Sequence, residues 1–332
     1  MKAAVHTRYG PPDVVHIREV DKPVAADGEL VIKVHATTVN RTDCGLRSGK
    51  PLFSRFLTGL LRPRGTVLGN EFAGEVEATG NGVTAFRVGD RVFGFSGFSG
   101  PFGAHAEYLR IRQDGTLAAM PAGLSYTDAV PGTEGSHYAL SNIRKAQIRS
   151  GQSVLVYGAT GAIGSAAVQL AKSIDARVTA VCATPNIELV AGLGADRVID
   201  YTAQDFTADD QRYDVVFDAV GKSTFGRCRP LLKPGGIYLA TEGGPVFILQ
   251  ILITPLLRGK KAVFAFPKLN QATVRYLADL IESGQFKPVI DRRYPLDEIV
   301  AAYRYVETGQ KIGNVVITVG HPDAIADHSV SS

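Results

Sequence analysis

The sequence predicts an α/β protein: a β-rich unit joined to a doubly wound parallel sheet. Three observations predict it. Short β-branched runs separated by glycine and proline fill the first third. Strand-like and helix-like runs alternate from about residue 120 onward. One strand leads straight into a glycine turn that opens a helix.

The β-rich unit rests on "LVIKVHAT", "EFAGEVEATG", "DRVFGF" and "AEYLRI". The character changes at "MPAGLSYTDAV" (120–130). "SVLVYG" (153–158) then runs into the helix "AIGSAAVQLAKSI", and "RVTAVC" (177–182) into "NIELVAGLG". "RVID", "YDVVFDAV" and "GGIYLAT" (235–241) read as further strands, and "KKAVFAF" (260–266) as an edge strand. A helix "QATVRYLADLIESG" follows, and a last strand, "GNVVITV" (313–319), brings the chain back to its first domain. The expected division is 1–123 with 267–320 for the β-rich domain and 124–266 for the parallel sheet. Residues 321–332 form an aperiodic tail that is expected to fray.

A chain of 332 residues is long enough for two domains with cores of their own. The net charge is +4 and the basic residues are scattered, so no nucleic-acid partner is expected. The N-terminus lacks an apolar signal-peptide core. The longest apolar run, "PVFILQILITPLL" (245–257), is too short to span a bilayer, so no membrane partner is expected. Three cysteines, Cys44, Cys182 and Cys228, stand far apart, which fits a reducing cytoplasm better than a disulfide framework.

The strongest chemical signal is "VLVYGATGAIGSAAVQLAK" (154–172). Glycines let the backbone turn sharply and approach a ligand without a Cβ in the way. The helix that follows points free N–H groups and its positive end at a pyrophosphate. Gly158 ends the strand, and Ala159-x-Gly161-x-x-Gly164 replaces G-x-G-x-x-G. The surrounding strands supply the context that this dinucleotide fingerprint requires. The second strand ends in "VCATPN" with no carboxylate to hold a ribose 2′-hydroxyl or repel a 2′-phosphate. Thr184, Asn186 and Tyr201 are the candidate donors there, so NADPH is the expected cofactor. The turn carries no arginine, and Pro185 has no N–H.

These stretches, with "TVNRTD", "GNEFAGEVEATG", "VGDRVFG", "LGADRVIDY" and "LKPGG", resemble the zinc-independent, quinone-oxidoreductase-like branch of the medium-chain dehydrogenases/reductases. The resemblance covers nearly the whole chain. It implies a GroES-like catalytic domain, a Rossmann domain, a substrate cleft between them and a homodimer. Zinc members begin the Asn40-Arg41-Thr42-Asp43 run with cysteine and carry histidine at the position of Asn70. Here both are amides, which are poor zinc ligands beside thiolate and imidazole. The four-cysteine loop of the zinc members has no counterpart in "FSGFSGPFGAHAEY". A set of Cys44, His105 and Glu71 has no spacing that suggests a metal, so none is expected.

Alcohol oxidation needs an alkoxide, which zinc makes accessible by lowering the pKa of bound oxygen. A quinone or an α,β-unsaturated carbonyl accepts hydride directly, and donors stabilise the charge that reaches its oxygen. Metal-free hydride transfer from NADPH to such a small molecule is therefore the expected reaction.

Asn40, Arg41 and Asp43 are the candidate catalytic residues. The resemblance puts Asn40 near the nicotinamide. Arg41 either polarises the acceptor or makes a surface or phosphate contact. Asp43 is a turn-and-network residue or a general base. Many quinone reductases carry tyrosine at the position of Gly45, whose absence removes that proton donor. Cofactor contacts are expected at Asn40, Ala159, Thr160, Gly161, Ala162, Ile163, Gly164, Ala183, Thr184, Asn186, Tyr201, Val220, Thr241, Lys311 and Asn314. The substrate cleft is expected to include Asn70, Phe93 and His137. Asn70 either bonds substrate or ties two loops, and His137 is either a cleft residue or a satisfied structural histidine.

Two other readings stay open: an NADPH-binding protein with little turnover, and a reductase dedicated to one enoyl or alkenal substrate. The bare edge "AVFAF" beside the apolar run suggests a homodimer joined through 260–266. The alternative is that the run folds over the cleft as a lid.

Overall fold

The computed structural model describes residues 1–50, 52, 55–96, 103–256, 259–267 and 270–320. The tail 321–332 lies outside the described residues. The chain divides into two compact units: Met1–Thr133 with Leu269–Asp279 and Ile290–Ser332, and Glu134–Lys268 with Leu280–Val289.

The first unit opens with β1 (Lys2–Val5), β2 (His16–Glu19), β3 (Glu29–Val39), α1 (Arg41–Ser48) and α2 (Arg55–Thr58). It continues through β4 (Glu71–Thr79), β5 (Arg91–Phe95), β6 (Tyr108–Arg112), β7 (Leu117–Ala119) and α3 (Tyr126–Ala129). The second unit carries α4 (Glu134–Ala146), β8 (Ser153–Tyr157), α5 (Ala162–Lys172), β9 (Arg177–Cys182), α6 (Ile187–Gly192) and β10 (Arg197–Asp200). After these come β11 (Tyr213–Asp218), α7 (Phe225–Cys228), β12 (Leu232–Ala240), α8 (Pro245–Ile253) and β13 (Lys261–Val263). The first nine residues of α9 (Gln271–Glu282) belong to the first unit, and after Leu280–Val289 in the second unit the chain completes the first with β14 (Ile290–Pro295), α10 (Ile299–Glu307) and β15 (Asn314–Thr318).

In the first unit the sheet order is β14-β15-β3-β4-β5-β7, with β6 also on β3. Only β14 and β15 run parallel; the other neighbours are antiparallel. β3 is β-branched and central, so most of its residues are buried on both faces rather than alternating. α10 packs on this sheet through Ile299, Ala302, Tyr303 and Val306, a stripe at helical spacing.

In the second unit six strands run parallel in the order β10-β9-β8-β11-β12-β13. The direction of winding reverses between β8 and β11, the switch point at which such sheets bind ligands. β9, "RVTAVC", has five buried residues after Arg177, as an interior parallel strand requires.

The edge strand is shorter than the sequence suggests. Residues 260–266 were expected to pair, but β13 covers only Lys261–Val263. Its partner β12 pairs Leu239 with Val263 and ends one residue later at Ala240, so the ladder runs out. Phe264 packs against the core of this unit, and Phe266 is 83% exposed. The apolar run before it forms helix α8 with Phe247 buried, while Val246, Ile248, Leu249 and Leu252 are exposed.

Glycine decides the approach of α5 to β8. A Cβ at Gly164 would lie 2.0 Å from the Gly158 carbonyl oxygen, which is backbone and cannot swing away. Gly164→Ala should therefore lower unfolding free energy by about 2–3 kcal/mol. A denaturant midpoint within error of the wild type would contradict this close packing.

Candidate active site

In the first unit the site begins where β3 ends. The antiparallel register Thr37↔Phe72 puts Asn40 and Asn70 at the same end of the β3–β4 ladder. Asn40 is the N-cap of α1: its Oδ1 accepts from the Asp43 N–H at 2.9 Å, and Asp43 Oδ2 accepts from the Asn40 N–H at 3.2 Å. This reciprocal capping box fixes both residues. Asp43 is fully buried in it, which matches its network role better than a base in contact with solvent. The Nδ2 of Asn40 is buried and has no hydrogen-bond partner among the described residues.

Asn70 precedes β4 and follows Gly69, whose φ of +100° and close approach to His105 exclude a side chain. Asn70 has no exposed surface, and neither its Nδ2 nor its Oδ1 has a partner among the described residues. The loop tie comes from its backbone instead: Ser96 donates its N–H (2.6 Å) and hydroxyl (3.2 Å) to the Asn70 carbonyl. A buried amide left unpaired costs about 1–3 kcal/mol. Three such atoms, Asn40 Nδ2 and the Nδ2 and Oδ1 of Asn70, lie at one ladder end, where a polar ligand can use them. Arg41 is exposed in the first turn of α1, where its charge opposes the helix dipole until an anion or acceptor oxygen docks.

Glu71, which the sequence reading considered only as a metal ligand, holds this corner together. Its Oε2 accepts from the Thr38 hydroxyl at 2.5 Å, and its Oε1 from the Thr133 hydroxyl at 2.7 Å and the Thr133 N–H at 3.2 Å. The carboxylate is fully buried. His105 is neutral, because burial pushes its pKa down to about 4. Its Nε2 lies 2.7 Å from the Thr38 carbonyl and so carries the proton, leaving Nδ1 to accept from the Tyr303 hydroxyl at 3.3 Å. Its 3.9 Å approach to Asp43 is therefore not an ion pair. Burial pushes the Cys44 thiol up to about 12, so it is no thiolate at neutral pH. Among the described residues no group of three or more His, Cys, Asp or Glu is arranged to hold a metal.

Phe93 lies within β5 and is fully buried. Lys311 donates to the Gly313 carbonyl, and Asn314 opens β15 in the same unit. His137 is buried in the first turn of α4 in the second unit, its ring 4.3 Å from that of Tyr138.

In the second unit the dinucleotide turn has the expected form. Gly158 adopts φ +81°, where a Cβ would strike Val220. Gly161 caps α5 without a side-chain partner, so Ala162, Ile163 and Gly164 present free first-turn N–H groups. Ala159 is buried behind them, and Thr160 is half-buried. These residues fit a pyrophosphate. Asp218, at the end of β11, accepts from the N–H groups of Val220, Gly221 and Ser223 and from the Tyr238 hydroxyl, which shapes the loop at the switch point. Thr241 ties to the same place through its N–H to the Asp218 carbonyl.

At the end of β9 the sequence reading needs correcting. Thr184 was expected to offer its hydroxyl to a 2′-phosphate, and no acid was expected nearby. In fact Asp200, from the end of β10, accepts from Thr184 Oγ1 at 2.5 Å and from Thr202 Oγ1 at 2.6 Å. These two hydroxyls hold the Asp200 carboxyl below the usual carboxylate range. Ala183 and Asn186 flank the turn half-buried, and Tyr201 is 51% exposed.

Residues 26–122 match the family model described as alcohol dehydrogenase GroES-like domain, and residues 193–317 that described as zinc-binding dehydrogenase. The chain is 34% identical to the 2-methylene-furan-3-one reductase of Solanum lycopersicum, across 97% of this chain and 79% of that protein. It belongs to the medium-chain dehydrogenase/reductase family. It is also 32% identical to the chloroplastic NADPH-dependent alkenal/one oxidoreductase of Arabidopsis thaliana, over 96% of this chain and 79% of that one. The solved quinone oxidoreductase of Coxiella burnetii matches this medium-chain fold with a TM-score of 0.87 at 28% identity, covering 96% of this chain and 99% of its own.

Asn70→Ala removes two unpaired buried polar atoms along with the side chain's packing. Unfolding free energy should stay within about 1 kcal/mol of the wild type, while kcat/KM falls at least about tenfold. A large stability loss with full activity would make Asn70 structural.

Proposed function

We propose that this protein is a zinc-independent, NADPH-dependent oxidoreductase that transfers hydride to a conjugated acceptor, a quinone or an α,β-unsaturated carbonyl. The observation that carries the reading is that Asn40 Nδ2 and both polar atoms of the Asn70 side chain have no partner among the described residues, at the positions where zinc-holding members of the family carry cysteine and histidine. The relatives named for alkenal/one and quinone substrates support the same acceptor class.

NADPH supplies the hydride when bound. The chain's own residues do the rest. The first-turn N–H groups of α5 hold the pyrophosphate, and Val220 and Thr241 line the loop at the switch point. Asn40 Nδ2 serves the nicotinamide carboxamide or ribose. Asn70 Nδ2 and Arg41 are the donors for the oxygen that gains charge as hydride reaches the acceptor. Asn70 has no exposed surface, so this contact requires its cover to part. Because hydride adds directly to a polarised acceptor, no alkoxide and no strong Lewis acid are needed. Cys44, a thiol at about 12, and His105, turned to the Thr38 carbonyl, offer no ready ligand set. Free cysteines support a reducing compartment such as the cytoplasm.

The protein should reduce an enone or quinone with NADPH after purification without added metal. It should keep its rate after chelation and contain far less than one zinc per chain. Ala183→Asp should weaken NADPH by placing a second charge beside the phosphate. Activity that disappears with chelation and returns with zinc would overturn the metal-free reading.

A homodimer belongs to the same reading. Among the described residues β13 has no partner strand on its outer side, and α8 beside it exposes Ile248, Leu249 and Leu252. A two-fold partner covers both at once. Because Phe264 lies beyond the strand, α8 is the better place to test the interface. Leu252→Glu should give a monomer in sedimentation at micromolar concentration. A dimer that persists would place the interface elsewhere.

A further inference from the structure

A cavity of about 360 Å³ opens in the second unit, walled by Tyr157, Tyr201, Thr202, Asp205, Phe206 and Arg227 among others. Thr202 joins it to the dinucleotide site, because its hydroxyl lies 2.8 Å from that of Thr184 in the turn after β9. In this fold that turn reads the ribose of the adenosine half.

The two threonine donors at that point are already committed, which leaves the Asn186 amide and the Tyr201 hydroxyl as the neutral candidates. Two hydroxyls carry two protons, and both are directed at Asp200: Thr184 at 2.5 Å and Thr202 at 2.6 Å. The Thr202 N–H also goes to Asp200, at 2.8 Å. A 2′-phosphate arriving here meets a carboxylate and no free threonine proton. It needs a cation from elsewhere in the fold.

Arg227 is the one cation among the residues that wall the cavity. It comes from α7, more than forty positions beyond the turn where a sequence search for the 2′-phosphate partner would look. Its present hold on Asp205 is loose: 3.3 and 3.5 Å, with both side chains more than half exposed. By contrast, the Arg197–Asp209 fork closes at 2.8–3.0 Å. Asp205 does not depend on Arg227, since the Thr207 N–H and hydroxyl serve it at 2.9 and 2.8 Å. Those Thr207 bonds are also the first reason that its carboxyl lies below the usual range. An exposed pair of this kind is worth little and separates easily, whereas a guanidinium meeting a phosphate makes a paired, charge-assisted contact.

The geometry points to Arg227 as the residue that selects NADPH, binding the adenosine 2′-phosphate in the cavity beside Thr202 after exchanging Asp205 for the phosphate. This rests on the NADPH reading above and deepens it. Thr184, placed at the phosphate by the sequence, instead anchors Asp200.

The test is a titration of NADPH, NADH, 2′,5′-ADP and 5′-AMP on wild type, Arg227→Gln, Arg227→Lys and Asp205→Asn. Arg227→Gln should weaken NADPH and 2′,5′-ADP by about tenfold or more while NADH and 5′-AMP stay within about twofold. In turnover the loss should fall on KM for NADPH rather than on kcat, and Arg227→Lys should recover most of it. Asp205→Asn should bind NADPH at least as tightly as wild type. A wild-type preference for NADPH that survives Arg227→Gln overturns the proposal alone. So does an equal loss for both cofactors, or the same loss in Asp205→Asn, since either makes Arg227 a loop brace. Equal wild-type affinities for NADPH and NADH would remove the cofactor reading, and this proposal with it.

Discussion

A carboxylate with no exposed surface must find its donors inside the protein, and the Glu71 carboxylate finds them in Thr38 and Thr133. One side chain thereby ties the end of β3, the start of β4 and the segment that closes the first unit. Breaking it would leave buried polar atoms unpaired, a loss of about 1–3 kcal/mol in typical cases. The two amides sit one residue before Glu71 and two residues beyond Thr38, so their positions follow from this clamp. Asn40 is held further by its capping box with Asp43, and Asn70 by the Ser96 bonds to its carbonyl.

The clamp sets these positions, yet Asn40 Nδ2 and both polar atoms of the Asn70 side chain have no partner among the described residues. Their unused hydrogen-bonding capacity is available to a ligand. The groups nearby that could hold a metal are otherwise committed: Cys44 stays protonated, and His105 gives its proton to the Thr38 carbonyl and its lone pair to Tyr303. The chemistry proposed for this corner is donation of hydrogen bonds to a polar acceptor, which suits hydride addition to a conjugated carbonyl.

Much of the fold was legible because its signals are local. Strand, Gly158, Gly161 and helix lie within one short stretch, and the α10 stripe repeats at helical spacing. What stayed hidden depends on residues far apart in the chain. Asp200 reaches Thr184 across 16 positions, Glu71 reaches Thr133 across 62, and Tyr303 reaches His105 across 198. No periodicity announces such pairs. The acid missing from "VCATPN" was supplied by the next strand, and Arg227 stands one helix further on. The edge strand was overread for a related reason: "AVFAF" has strand composition, but its length is set by where β12 stops.

The most direct measurement is ¹⁵N side-chain amide NMR on asparagine-labelled protein, with Asn40→Ala and Asn70→Ala used to assign the two signals. On adding NADPH and then a non-reacting enone analogue, the Asn40 amide should shift with the cofactor and the Asn70 amide with the analogue, each with slowed proton exchange. Amide signals that stay unmoved in the saturated ternary complex would contradict the claim that these side chains wait for a ligand.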